Sequence, residues 1–319
     1  MQWAVMIKHT VEISREPVYL CVRNKQLEFR KTDEVVRRIP CEDIGVVLVD
    51  HPQTTYTHAA LIELVESDAA VVICGRNHLP IGLLLPLSDH TNVAWRIRDQ
   101  IKVRKPLLKQ LWRQIIQAKI RASALNLQPS DAARAKLLEM AQMVRSGDPT
   151  NIEAQAAKVY WRHWLPDKYR FKRDIDADGL NSFLNYGYSV VRAALARALV
   201  ASGLLPAIGI KHSNRSNAFA LVDDLIEPLR AAVDWKAREL LLSGSVDLDQ
   251  KSKSHLLSLL AEDFRIENEN GPLMVCLHRY SSSLVRCYQG KSKILEIPEY
   301  IPKLPHGESG IHLNSAPCT

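Results

Sequence analysis

Pro86-Leu87-Ser88-Asp89-His90-Thr91-Asn92-Val93-Ala94-Trp95-Arg96-Ile97-Arg98-Asp99-Gln100-Ile101 is the stretch at which the apolar rhythm of this chain changes. Its first half, 86–92, is polar and turn-forming and reads as a linker. From Val93 onward apolar residues recur every three to four positions, the period of a helix. Before the linker they come in short runs rich in Val, Ile and Leu, separated by turn residues, which is how strands read. Strands are expected over 5–13, 18–22, 27–30, 35–39, 44–49, 70–74 and 81–85, with one helix at about 57–67. Asn24-Lys25, between two of these runs, suggests a tight hairpin. Helices are expected at about 93–126, 131–146, 150–164, 178–202, 217–242, 252–262 and 273–288. The fold class that follows is α+β in two domains. A small β-rich N-terminal domain spans 1–88 and a larger all-α domain spans 89–301, with a disordered tail over 302–319.

The 319 residues carry 42 Lys and Arg against 35 Asp and Glu, a net charge of +7, and 46% are hydrophobic. That apolar share excludes a mainly disordered chain. Six cysteines without a C-x-x-C pair argue against a cysteine-built zinc site and fit reduced thiols. The first residues lack the basic-then-apolar order of a leader, and no run of 18 uncharged apolar residues occurs. The expectation is a soluble, cytoplasmic protein with no membrane partner.

The positive charge is clustered. Between Trp95 and Arg121 lie Arg96, Arg98, Lys102, Arg104, Lys105, Lys109, Arg113, Lys119 and Arg121, nine bases against the single acid Asp99, a local net of +8. Most charge runs are solvated faces, but the acids that normally alternate with the bases are missing here. Lys102, Arg104, Lys105 and Lys109 are therefore candidate DNA contacts. A second stretch, 161–173, interleaves Trp161, Trp164, Tyr169 and Phe171 with Arg162, Lys168, Arg170, Lys172 and Arg173. Cations there would neutralise phosphates while aromatic faces stack on unpaired bases. The plainer alternative makes the aromatics core and the bases a loop.

Three segments offer metal-ligand chemistry. Thr150 and Glu153 have the T-x-x-E spacing of a capping box, which by itself calls for no function. His212 sits in a polar stretch, 210–217, where a histidine is more often solvated than liganded. Asp224 and Glu227 are i and i+3, which on a helix turns both carboxylates to one side. Pro228 disfavours an α conformation at Glu227, so a kink or boundary is expected there. Carboxylates with one imidazole suit Mg²⁺ or Mn²⁺. Spacing alone does not bring the three segments together.

Taken in register, these segments resemble the CRISPR-associated spacer integrases, the adaptation enzymes of CRISPR systems, and their type II branch in particular. The matching residues are Ile152-Glu153-Ala154-Gln155-Ala156-Ala157 with Tyr160-Trp161; Gly179-Leu180-Asn181 with Leu184-Asn185-Tyr186-Gly187-Tyr188; His212 with Asn214-Arg215; and Val222-Asp223-Asp224-Leu225-Ile226-Glu227-Pro228-Leu229-Arg230. The resemblance spans about residues 1–300. It implies a dimerising β-rich domain, a helical catalytic domain and a Mg²⁺ or Mn²⁺ site made by Glu153, His212 and Glu227. It also implies a supporting role for Asp224 and DNA contacts at Arg215 and Arg230. Ala154 stands where many relatives have glycine, and Ser213 where type II relatives often carry arginine.

The implied reaction is attack by the 3′-hydroxyl of a short double-stranded DNA fragment on a phosphodiester of the CRISPR repeat. Two such joins insert a new spacer. The resemblance also implies a homodimer, a small ferredoxin-like partner bridging two dimers, and involvement of the RNA-guided effector nuclease. The alternatives are a catalytically silent DNA-binding scaffold and a nuclease that only cleaves branched DNA.

Overall fold

The computed structural model describes residues 8–31, 34–76, 80–87, 92–169, 171–174 and 177–300. The expected tail 302–319, most of the linker, and the start of the first expected strand lie outside them.

Two four-stranded sheets form the N-terminal part. The first has the order β1 (His9–Ile13), β5 (Ile44–Val49), β7 (Ala70–Cys74) and β8 (Pro80–Leu84), parallel except for the β7–β8 pair. The second has the order β4 (Glu34–Pro40), β3 (Gln26–Lys31), β2 (Tyr19–Arg23) and β6 (Thr55–Tyr56). The β2–β3 hairpin turns on Asn24 and Lys25, both at positive φ (52° and 60°), as a two-residue turn that follows the strand twist requires. Helix α1 (His58–Glu66) starts where the Thr57 side chain accepts the Ala60 N–H at 3.1 Å.

Strand β5 is buried along its whole length, and its alternation serves two cores. Val47 and Val49 face the other sheet and α1, with Val11, Leu27 and Leu64. Val46 and Leu48 face the helices, with Leu195 and Leu199. The strands and the helices therefore share a sheet as well as a linker. Polar contacts reinforce that seam. Arg197 is buried, donates to Asp68 and lies 3.0 Å from His278 Nε2, while Lys253 pairs with Asp50.

The helices are α2 (Val93–Lys102), α3 (Lys105–Leu125), α4 (Ala132–Met143), α5 (Ile152–His163), α6 (Leu180–Ala201), α7 (Ala220–Leu225), α8 (Arg230–Leu242), α9 (Gln250–Leu257) and α10 (Leu273–Tyr288). Three expectations are corrected. The expected helix 217–242 is α7, a 3₁₀ turn over Glu227–Leu229 and α8. The expected helix 93–126 is two helices, because Pro106 lacks an N–H and its ring clashes with the carbonyl four residues back; Arg104 caps α3 at ψ 141°. The C-terminal part is not all-α: β9 (Asp263–Ile266), β10 (Glu269–Pro272) and β11 (Glu299–Tyr300) make a small antiparallel sheet in the order β10-β9-β11. Only Phe264 and Ile266 of β9 are buried, too short an alternation to stand out beside the helical periods.

Helix α6 is buried nearly all round. At Gly187 it approaches α8 so closely that a Cβ would overlap Val233 Cγ1. Gly187→Ala is expected to cost about 1–3 kcal/mol of stability through overpacking. Urea denaturation measures it, and an unchanged midpoint would contradict this packing.

Candidate active site

Helix α3 is the beam of the site. Its face carrying Trp112, Ile115, Ile116 and Ile120 is buried, and Lys119 opens from the edge of that face into a cleft. The cleft holds about 290 Å³ and is lined by side chains of α3, α5, α6, α8 and the turn before α8.

Glu153 is the second residue of α5. The expected Thr150–Glu153 capping box is not what starts this helix. Asn151 is the N-cap, at φ 52° and ψ 48°, and its side chain accepts the Ala154 N–H at 3.3 Å. The Asp148 carboxylate accepts the N–H groups of Ile152 and Glu153 at 2.9 and 3.0 Å. The early N–H groups of α5 are thus satisfied without Glu153, whose carboxylate receives Lys119 Nζ at 2.5 Å.

Glu227 lies on the one-turn 3₁₀ segment Glu227–Leu229, where Pro228 ends α7 before α8 begins, as expected for a boundary at this proline. It is 8% exposed. Its Oε1 accepts from Arg230 Nε at 3.0 Å, and its Oε2 lies 2.5 Å from Lys119 Nζ. Burial alone would push the Glu227 carboxyl up, but Arg230 and Lys119 outweigh it and hold it below the usual range. For Lys119, burial pulls the ammonium down, and Glu227 and Glu153 together lift it above the usual lysine value. Two carboxylates from distant segments therefore converge on one cation.

Asp224 does not share that cluster, despite its i,i+3 spacing from Glu227. It is fully buried and faces the 210–212 loop. Its Oδ2 accepts the N–H groups of Ile210, Lys211 and His212 at 2.6, 2.8 and 3.3 Å, and its Oδ1 contacts His212 Nδ1. Gly209 permits the approach, since a Cβ there would meet the His212 carbonyl. Burial pushes the Asp224 carboxyl up, and these donors offset part of that rise. With Nδ1 engaged, Nε2 is the His212 nitrogen left for a ligand. The ring is exposed and stands edge-on to Trp112, with centroids 5.6 Å apart. Trp112 and Lys119 are seven residues apart on one face of α3, about 10 Å along the axis. Among the described residues, no three His, Cys, Asp or Glu side chains group closely enough to hold one metal ion. The structure joins Glu153 to Glu227 and Asp224 to His212, as two pairs along α3.

Two arginines also line the cleft. The Arg230 guanidinium lies 4.8 Å from the Tyr188 ring centroid and that of Arg173 lies 5.7 Å from it. Asn181 and Asn185 hold Arg173 at 2.9 and 2.6 Å. Beneath them Tyr188 and Tyr160 both donate to Asp234, Tyr160 at 2.8 Å, and Asn126 Nδ2 donates to the Tyr160 hydroxyl at 3.0 Å.

Burial drives the Asp234 carboxyl up to about 6, against hydrogen bonds from both tyrosines. Between pH 4 and 6 the folded state then binds more protons than the unfolded one. The stability this group contributes is full below about pH 4 and lost as pH rises through about 6. A rise of two units corresponds to about 3 kcal/mol. Wild type should therefore gain stability relative to Asp234→Asn on going from pH 7.5 to 4.5, as measured by urea denaturation. Parallel pH profiles would contradict this.

Lys102, Arg104, Lys105 and Lys109 are exposed, with no ion pair among the described residues. Arg162, Lys172 and Arg215 are also at the surface; Arg170 lies outside the described residues. The interleaved aromatics mostly pack on one another: Trp161–Trp164, Trp164–Phe171 and Trp161–Phe171 centroids are 5.0, 5.2 and 5.6 Å apart. Trp164 is buried, so these rings favour the core reading over a row of base-stacking platforms. In the sequence Lys119 reads only as one of nine surface bases. Its position seven residues after the buried Trp112 was the signal that it faces the site.

Residues 11–265 match the family described as CRISPR associated protein Cas1. The chain is 34% identical over 288 residues to the CRISPR-associated endonuclease Cas1 of Neisseria meningitidis serogroup C, covering 89% of this chain and 93% of that protein. Among solved structures it is similar to a casposase bound to integration product, with TM-score 0.76 and 20% identity over 92% of this chain and 95% of that one. It is also similar to a chain of a Cas6-RT-Cas1–Cas2 complex, with TM-score 0.74 and 16% identity over 94% of this chain and 37% of that one. The match over most of the chain, at the level of both sequence and fold, places this protein in the Cas1 family.

Proposed function

We propose that this chain joins DNA: a fragment's 3′-hydroxyl attacks a phosphodiester of a CRISPR repeat, and one phosphodiester is exchanged for another without a nucleotide energy source. The observation that carries the reading is the pair Glu153 and Glu227 closed on one cation beside Arg230 and Arg173. That donor set fits a hard divalent ion. Two carboxylates converge on one point, where a single ammonium meets an oxygen of each. Glu153 and Glu227 would hold Mg²⁺ or Mn²⁺, and His212, the third ligand implied by the resemblance, stands further along the same face of α3. When bound, such an ion supplies charge neutralisation at the phosphate and acidifies the attacking hydroxyl.

The chain's own groups do the rest. Arg230 and Arg173, mounted on Tyr188 and on Asn181 and Asn185, offer a fixed cationic wall to a phosphate. Asp224 fixes the ring orientation of His212. Lys102, Arg104, Lys105 and Lys109, exposed at the junction of α2 and α3, would track the DNA backbone. Lys102→Ala, Arg104→Ala, Lys105→Ala and Lys109→Ala together should weaken DNA binding and reduce the slope of log affinity against log salt by up to about 3–4 units. An unchanged slope returns these residues to a solvated face.

A homodimer, repeat DNA, a small bridging partner of the Cas2 kind and the effector nuclease are the partners proposed. A complex of Cas1 with Cas2 is what one structural neighbour is described as. The relatives' name of endonuclease supports a second reading, cleavage of branched DNA without joining. Incubation of a short duplex with a repeat-bearing plasmid separates the two: covalently joined product supports integration, and cleaved product alone supports the nuclease. If Glu153→Gln, His212→Ala and Glu227→Gln each join as well as wild type, the site assignment is wrong.

A further inference from the structure

The Lys119 ammonium lies 2.5 Å from Glu153 Oε1 and 2.5 Å from Glu227 Oε2. Those are the two oxygens through which the carboxylate pair would reach a divalent ion. A lysine ammonium offers three donors and a single charge on a flexible stem. An ion of charge +2 cannot take both oxygens while the ammonium stays between them, because like charges in contact repel strongly in a half-buried cleft. The Lys119 side chain is 21% exposed and lines the cleft, so turning toward solvent does not take it through the core.

We infer that Lys119 is an internal counter-cation of the Glu153–Glu227 pair: it holds the two carboxylates together before metal arrives, and metal binding expels it into the cleft. The inference rests on the metal-dependent reading above and adds a residue to it. Lys119 acts as a positioning residue, keeping segments from α5 and the turn before α8 in register around one point. Once expelled, its ammonium joins Arg173 and Arg230 among the cleft cations facing a DNA phosphate.

Two measurements on the full-length protein test this without an activity readout. The first is the reactivity of each lysine toward an amine-acylating reagent, read by mass spectrometry with and without saturating Mn²⁺. Lys119 is expected to become several-fold more reactive with Mn²⁺, while Lys236 and Lys253, buried in other ion pairs, stay protected. The second is Mn²⁺ affinity by calorimetry. Lys119→Met and Lys119→Gln should bind Mn²⁺ about tenfold or more tightly than wild type, since the pair no longer has to be released first. Should the methionine variant fold poorly, the glutamine variant and the wild-type reactivity still decide. Mn²⁺ binding to wild type with no change at Lys119 overturns the displacement and leaves the metal reading standing. No Mn²⁺ binding by wild type or either variant overturns both.

Discussion

Glu227→Gln is expected to lower the yield of joined DNA by about 10²–10³-fold while the protein stays folded. The glutamine keeps the volume and one acceptor oxygen, so Arg230 retains a partner and the 3₁₀ turn keeps its packing. What is lost is half of the negative charge that meets at Lys119. A lost metal ligand removes several kcal/mol of charge stabilisation, and each 1.36 kcal/mol or so is a factor of ten in rate. Glu153→Gln should behave alike, because the two carboxylates meet the same cation from opposite segments. Stability should fall by only about 1–3 kcal/mol, since Lys119 keeps one carboxylate partner. Gel quantification of joined product, with circular dichroism on the same sample, checks both halves. Joining within twofold of wild type would remove Glu227 from the chemistry.

Asp224→Ala should be the most destabilising single change near the site, at about 3–5 kcal/mol. The carboxylate is fully buried and collects three backbone N–H groups and the His212 ring. Its removal leaves those donors without an acceptor in a place water reaches poorly. Asp224→Asn, of nearly equal shape, should cost less in stability yet still lower joining by about 10–100-fold, as loss of a group that orients a metal-ligating histidine does. Chemical denaturation of both variants, alongside the joining assay, measures this. If Asp224→Ala denatures with wild type, the carboxylate does not anchor the 210–212 loop.

Local pattern was legible where one residue type carries one meaning. A short run rich in Val, Ile and Leu marked β5, and Asn24-Lys25 marked the hairpin. Pro228 marked the boundary beside Glu227. Pro106 carried the same kind of signal, and a continuous helical period across 93–126 masked it. The candidate site was legible as a set of residues only through the family resemblance, because its partners come from segments far apart in the chain. Thr150 and Glu153 show why spacing fell short: the capping pattern is present, but Asp148 and Asn151 are nearer the helix end in space and take the N–H groups. Asp224 and Glu227 show it again. Their i,i+3 spacing predicts one face, but the helix ends between them, so one carboxylate turns to the His212 loop and the other to Lys119. Which acid anchors a loop and which meets a cation depends on that break and on burial.

The most direct test of the central claim compares two otherwise identical short duplexes, one ending in a 3′-hydroxyl and one in a 3′-deoxy terminus, incubated with the protein, Mn²⁺ and a repeat-bearing plasmid, with and without a chelator. Covalently joined product is expected only from the 3′-hydroxyl duplex, only without chelator, and with no nucleotide triphosphate present. Joined product from the 3′-deoxy ends, or undiminished joining in chelator, would contradict it.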